Sequence, residues 1–317
     1  MHMDGIPQQA TKEQTPKAKT RNNEQLIATR GQKAKITLST STPKYIHERL
    51  NNSEYFIYPL LVPPYVPLRT SFVLAKKYNI AACRIQKNLS TILWSIFCFL
   101  NNKEFYTTNN ISLTARFRTI MKYDVCNATE VTGIGNNRYN AKIAILRDPL
   151  ERFLSAFVDK CIREAEKNPT RCYGCKGDMV CLLEKQYYRF MRIAAGEIKE
   201  YSFEDRHFAP MTWFCDFNKH NIKTFDILTL GETEKHQAEL IDKHAEIFSK
   251  NHVEKNLTDY IQKEVRDNPT PHSTTGSDIR KTIGNFMRTN QKIMSLLQLL
   301  YANDYTVFNI PSPFLEH

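Results

Sequence analysis

Residues 141–161, AKIAILRDPLERFLSAFVDKC, constrain this chain most, because they spell a buried strand, an Arg-Asp-Pro turn and an amphipathic helix without interruption. Ala141, Ile143, Ala144, Ile145 and Leu146 make a short apolar run suited to a parallel strand covered on both faces. Pro149 suits the first turn of the helix that follows, where a missing N–H costs nothing. Leu150, Phe153, Leu154, Phe157, Val158, Cys161 and Ile162 then recur with the helical period and predict one apolar face reaching Ile162. Arg152 and Ser155, three residues apart, share one side of the first turns, and Arg147 closes the strand. With the N–H groups of the helix start they form a layout for a phosphate-like anion. The plainer reading is a helix start with an incidental Ser on a solvated face.

A second segment repeats the pattern. Residues 78–85 (YNIAACRI) predict another buried strand, 86–90 a loop and 91–100 (TILWSIFCFL) an apolar helix. Lys87, Ser90 and Thr91 therefore sit at a helix entrance, where hydroxyls and backbone N–H groups bind anionic oxygens and an ammonium neutralises charge. A Ser-Thr helix cap beside a surface lysine is the alternative. The loop contains no glycine, so a Walker-type nucleotide loop and a P-loop kinase are poor readings. Further on, 225–230 (FDILTL) predicts a strand, Gly231-Glu232-Thr233 leads into a helix over 234–248, a long helix carries Ile279, Ile283, Phe286, Met287, Met294, Leu297 and Tyr301, and 305–308 reads as strand-like. The expected fold class is α/β: a central, mainly parallel sheet from strands near 79–85, 141–147 and 225–230, flanked by helices, with ligand outside the carboxyl ends of the strands.

Arg147, Asp148, Pro149, Arg152 and Ser155 make R-D-P-x-x-R-x-x-S, and this element together with C-R-I-Q-K-N-L-S-T at 83–91 resembles the membrane-bound carbohydrate sulfotransferases, in particular the chondroitin and related branch. His207-Phe208-Ala209-Pro210 followed by Cys215 is similar to the family's acceptor-side segment, and His272-Ser273-Thr274-Thr275-Gly276 then Arg280 to its nucleotide-closing loop. The likeness spans about residues 55–311. It implies a P-loop-like sulfotransferase fold and an enzyme that moves a sulfuryl group from 3′-phosphoadenosine 5′-phosphosulfate, without a metal, to a glycan hydroxyl. It further implies that Lys87, Ser90 and Thr91 meet the 5′-phosphosulfate, that Arg147 and Ser155 meet the 3′-phosphate, and that Thr275 and Arg280 close over the nucleotide. The transfer needs a group to accept the sugar proton, for which His207 is the first candidate, His272 the second and a carboxylate a third; Lys87 is the catalytic cation. A buried structural histidine bonded to backbone is the other reading of His207. The acceptor suggested is an anionic, chondroitin-like polysaccharide or a glycoprotein glycan; a catalytically silent glycan- or nucleotide-binding protein on the same fold is the rival.

A chain of 317 residues with 41% hydrophobic content can bury one large α/β core. Residues 1–43, poor in large apolar side chains, are expected to form a disordered stem, and 44–317 the catalytic domain. Residues 59–67 (PLLVPPYVP) read as a stiff extended lead into it. The net charge of +11 favours anionic partners, while no zinc finger, RNA-binding aromatic motif or helix-turn-helix pattern supports nucleic acid. Eight cysteines and N-x-S/T sequons at Asn51, Asn88, Asn110, Asn127 and Asn256 favour an oxidising lumen, here the Golgi through the resemblance, with the Asn88 sequon unused because it lies in the donor loop. Cys161, Cys172, Cys175 and Cys181 cluster and are read as disulfides, with reduced thiols or a zinc knuckle as alternatives; the pairing stays open. The resemblance also implies membrane association through an N-terminal signal anchor, whereas nothing before Pro59 approaches 18 apolar residues, so either the sequence given starts late or the protein reaches the lumen another way.

Overall fold

The computed structural model describes residues 60–68, 70–115, 126, 129–135, 138–268 and 277–314. Five strands form one sheet: β1 (Ser71–Ala75), β2 (Ile80–Cys83), β3 (Glu130–Thr132), β4 (Ala141–Arg147) and β5 (Asp226–Leu230), in the order β3-β1-β2-β4-β5. β2, β4 and β5 run parallel, as their apolar runs predict. β1 and β3 add to that expectation: β1 pairs antiparallel with both β2 and β3, through a tight turn at Lys76–Tyr78 that ends on Asn79 at φ 53°. Asn is among the few residues that take this left-handed conformation readily.

The helices are α1 (Ser90–Asn101), α2 (Lys103–Thr108), α3 (Pro149–Ala156), α4 (Met179–Ala194), α5 (Phe203–Phe208), α6 (Glu234–Lys250), α7 (Lys255–Asp267), α8 (Asp278–Thr289) and α9 (Gln291–Val307). They cover the sheet on both faces because strand side chains alternate. Phe72, Ala81, Cys83, Ala144 and Leu146 join one core with α3, α4 and α9. Val73, Ile80, Ala82, Ile143 and Ile145 join the other with α1, α6 and α7. Residues 60–68 run over the first core, where Val62 and Leu68 are buried and Leu68 donates its N–H to Trp213 O at 2.9 Å.

Three expected elements differ. The helix predicted to reach Ile162 is α-helical only to Ala156 and continues as a π-helical turn over Phe157–Arg163. The long helix predicted over 279–301 divides at Asn290, whose Oδ1 caps α9 by accepting from Ile293 N at 3.0 Å. Residues 305–307 are not strand: α9 runs on to Val307, because Leu297, Tyr301 and Tyr305 extend one buried helical stripe and outweigh the strand preference of Tyr, Thr and Val. The eight cysteines pair as Cys83–Cys215, Cys98–Cys126, Cys161–Cys172 and Cys175–Cys181, which replaces the thiol and zinc readings of the cluster. Among the described residues no group of side chains could hold a metal ion, and no helix is long and apolar enough to cross a membrane. The stem expected over 1–43 lies outside the described residues.

Candidate active site

Both anion-type loops open at the same edge of the sheet, at the carboxyl ends of β2 and β4. The first loop is stitched to the second through its own carbonyls: Arg147 Nη1 donates to Lys87 O at 3.3 Å, and Arg152 Nε donates to Gln86 O at 3.0 Å. Lys87 and Leu89 hold φ values of 69° and 59°, a left-handed region that costs residues with a side chain on the order of 1–3 kcal/mol each and is met most often at functional sites. Leu89 is the N-cap of α1 and no side chain caps that helix, so the first-turn N–H groups beside the half-buried Ser90 and Thr91 are left for an anion. Asn88 is buried, with Nδ2 donating to Ile145 O at 2.8 Å, so its sequon is closed to a glycan, whereas Asn110 and Asn256 are exposed.

The start of α3 is arranged differently from expectation. Asp148 Oδ1 accepts from Glu151 N at 2.9 Å and Oδ2 accepts from the Tyr305 hydroxyl at 2.9 Å, so this helix end is capped internally. The anion-binding capacity here therefore rests on side chains, namely Arg147 and the buried Ser155. Arg152 is a strut: 1% exposed, it also donates from Nη1 to Ala209 O at 2.7 Å and stacks its guanidinium 5.2 Å from the Phe214 ring. Its Nη2 is buried without a hydrogen-bond partner, a donor suited to an anion; Gln86 Oε1 and Asn88 Oδ1 are likewise unpartnered but are acceptors, which an anion does not satisfy.

Arg147 is held from the solvent side by Glu232, which follows β5: Nε donates to Oε1 at 3.0 Å. Arg280, 6% exposed on α8, lies beside it, 3.4 Å from Glu232 Oε2 and bonded to Glu151, which also pairs with Arg288. Burial alone would raise the Glu151 pKa, but Arg280, Arg288 and Arg147 bring it below the ordinary carboxylate range. Arg147 and Arg280 thus share Glu232, and Glu151 and Arg288 join them, three residues that sequence reading missed. Thr275 and His272 lie outside the described residues.

At the other end, Lys87 Nζ meets Asp159 Oδ2 at 2.8 Å, and Lys160 Nζ meets the same oxygen at 2.9 Å. Burial lowers the Lys87 pKa to about 8 against the opposing pull of Asp159. Burial works against the Asp159 charge too, but the two lysines outweigh it and hold the carboxyl at about 2. His207, on α5, has Nδ1 2.7 Å from Phe203 O and its ring 4.2 Å from the Phe203 ring. Burial, and then Lys160, Lys87 and Arg152 nearby, lower its pKa to about 3 although the Phe203 bond opposes them. The ring is therefore neutral near pH 7; with Nδ1–H donating to Phe203 O, Nε2 carries the lone pair. Its segment is pinned by Tyr301, which donates to Phe208 O at 2.7 Å, by Arg152 on Ala209 O, and by Asp304, whose carboxylate accepts from Met211 N and Thr212 N at 2.7 and 2.9 Å. Cys83–Cys215 ties the same region to the end of β2.

Two strand-loop-helix elements thus open side by side at the carboxyl ends of β2 and β4, joined through Arg147 and Arg152 to the carbonyls of Lys87 and Gln86, in an α/β fold of the kind sulfotransferases have. The Sulfotransferase family model matches residues 70–311, and the chain belongs to that family. Carbohydrate sulfotransferase chst-1 of Caenorhabditis elegans is 30% identical over 264 residues, 81% of this chain and 80% of the relative. An uncharacterized protein of the same organism, C18B2.2, is 28% identical over 283 residues, 84% and 75% of the two chains. No solved structure matches.

Proposed function

We propose that this sulfotransferase uses 3′-phosphoadenosine 5′-phosphosulfate as donor and a glycan hydroxyl as acceptor. The observation that carries the reading is the convergence of the uncapped, left-handed loop at Lys87 with the Arg147–Arg280 pair, which gives two separate cationic poles for two separate anionic groups. The donor supplies an activated sulfuryl group whose transfer leaves negative charge on a nucleotide phosphate. Ser90, Thr91 and the first-turn amides of α1 bind the 5′ side, Arg147 and Ser155 the 3′-phosphate, with Arg280 beside Arg147 and with Thr275, by the resemblance, closing over the nucleotide. Lys87 acts where charge grows, so it stabilises the transition state more than the ground state. His207 Nε2 takes the acceptor proton; burial holds its basicity down first, and bound anions would offset the further lowering by Lys160, Lys87 and Arg152.

The likeness to a carbohydrate sulfotransferase favours a carbohydrate acceptor, and the net charge of +11 suits an anionic polysaccharide such as a chondroitin-like chain, or a glycoprotein glycan. Four disulfides and exposed sequons at Asn110 and Asn256 suit the Golgi lumen, and the family resemblance suggests membrane association. The test is binding of 3′,5′-adenosine bisphosphate to the full chain, followed by transfer of labelled sulfate from donor to a glycosaminoglycan panel. Binding with transfer supports the enzyme; binding without transfer to any member would favour a silent glycan- or nucleotide-binding protein; no binding ends the donor reading.

A further inference from the structure

Asp159 puts a negative charge beside a loop that is otherwise built to attract anions. Its carboxylate is 7% exposed, and one oxygen, Oδ2, serves both Lys87 and Lys160. A buried carboxylate is costly unless paired, and here two ammonium groups share one oxygen, Lys160 pairing with Glu164 as well, so that Asp159 is the carboxylate on Lys87. The residue is placed by the π-helical turn, in which Asp159 O accepts from Glu164 N, five residues on, at 3.0 Å. Such turns occur frequently at functional sites.

We propose that Asp159 is a positioning residue for sulfuryl transfer: it anchors Lys87 Nζ at the mouth of the donor loop and keeps that ammonium charged when the nucleotide departs. This rests on the donor reading above. The groups acting on Lys87 are Asp159 and Lys160 from the π turn, Arg147 from β4 and His207 from α5. Of these Asp159 alone is anionic. Burial works to discharge Lys87, and Lys160 and Arg147 add to that, so the Asp159 charge is what opposes proton loss.

The product 3′,5′-adenosine bisphosphate carries on its 5′-phosphate the charge that the transition state develops, so it probes Lys87 without an acceptor. Its affinity is to be measured calorimetrically from neutral pH to about pH 10, spanning the lysine range. In the wild type the affinity falls as Lys87 loses its proton. In Asp159→Asn that fall moves to lower pH by about one unit or more, and Asp159→Glu restores it. Lys160→Gln, which removes a competing cation, moves the fall to higher pH. An Asp159→Asn profile superimposable on the wild type overturns the proposal. If that variant does not fold, an unmoved Lys160→Gln profile overturns it and an upward shift sustains it. A wild type that binds no bisphosphate at any pH removes instead the donor reading on which the proposal stands.

Discussion

Arg147 and Lys87 contribute differently because they meet different charges. Arg147 is buried against Glu232, so a phosphate arriving there exchanges with a carboxylate already in place. Charge-assisted hydrogen bonds are worth roughly 1.5–3 kcal/mol, so Arg147→Ala should weaken bisphosphate binding about ten- to hundredfold. Glu232→Gln should act in the opposite direction and tighten it by about tenfold, since the competing anion is gone; calorimetry reads both signs. Lys87→Ala should lower kcat more than donor affinity in steady-state kinetics. His207→Ala should cost about a hundredfold or more in turnover while donor binding persists, as removal of a general base does. Near-normal turnover in a folded His207→Ala protein would leave the ring with the structural role that its Phe203 hydrogen bond already gives it.

At the scale of elements, the disulfides differ in what they close. Cys83–Cys215 spans 132 residues and fastens the end of β2 to the segment behind His207, whereas Cys175–Cys181 spans 6 and joins the turn before α4 to its first turn. By the chain-entropy argument the first is worth about 5 kcal/mol and the second about 2 kcal/mol. Replacing both cysteines of the first pair by Ala should therefore lower the thermal midpoint more than replacing the second pair. His244 on α6 gives a second prediction. It lines an apolar cavity between α1, α6 and α7 with Leu93, Ile96 and Phe248, and its Nε2 is buried without a partner. Burial lowers its pKa to about 4. The unfolded chain takes up the proton near pH 6.5 and the native state does not, so stability present above that pH is lost as pH falls toward 4. His207 behaves likewise. Asp304, whose pKa burial raises to about 6, takes up a proton in the native state over the same range and opposes them; His244→Leu should reduce the acid slope by at most about 1.4 kcal/mol per pH unit in thermal melts.

Among the described residues, one mixed sheet with helices on both faces carries Lys87, Ser90, Thr91 and Arg147 at the carboxyl ends of its parallel strands. Removal of residues 1–42 should leave the fold and transfer activity intact, because a segment of that composition has little apolar surface to bury against the core. Circular dichroism and the sulfate-transfer assay on the shortened chain check this; loss of the folded domain would show that the segment packs.

Local pattern alone determined the three parallel strands, the two loops at their ends, and the places of Lys87, Ser90, Thr91, Arg147 and Ser155 in or beside those loops. Each of these depends on side-chain period and on what may follow a strand, which a stretch of some twenty residues carries within itself. The hairpin of β1, the cysteine pairing and the partners of the cations were decided by tertiary structure. Lys87 and Asp159 are 72 residues apart, and Arg147 and Glu232 are 85. No periodicity links such positions; Asp159 reads in sequence as one more polar residue on a helix, and the π turn that aims it depends on how the turn packs. The break at Asn290 and the course of α9 were settled the same way, by which faces the assembled core had room to bury, a quantity that exists only once the layers meet.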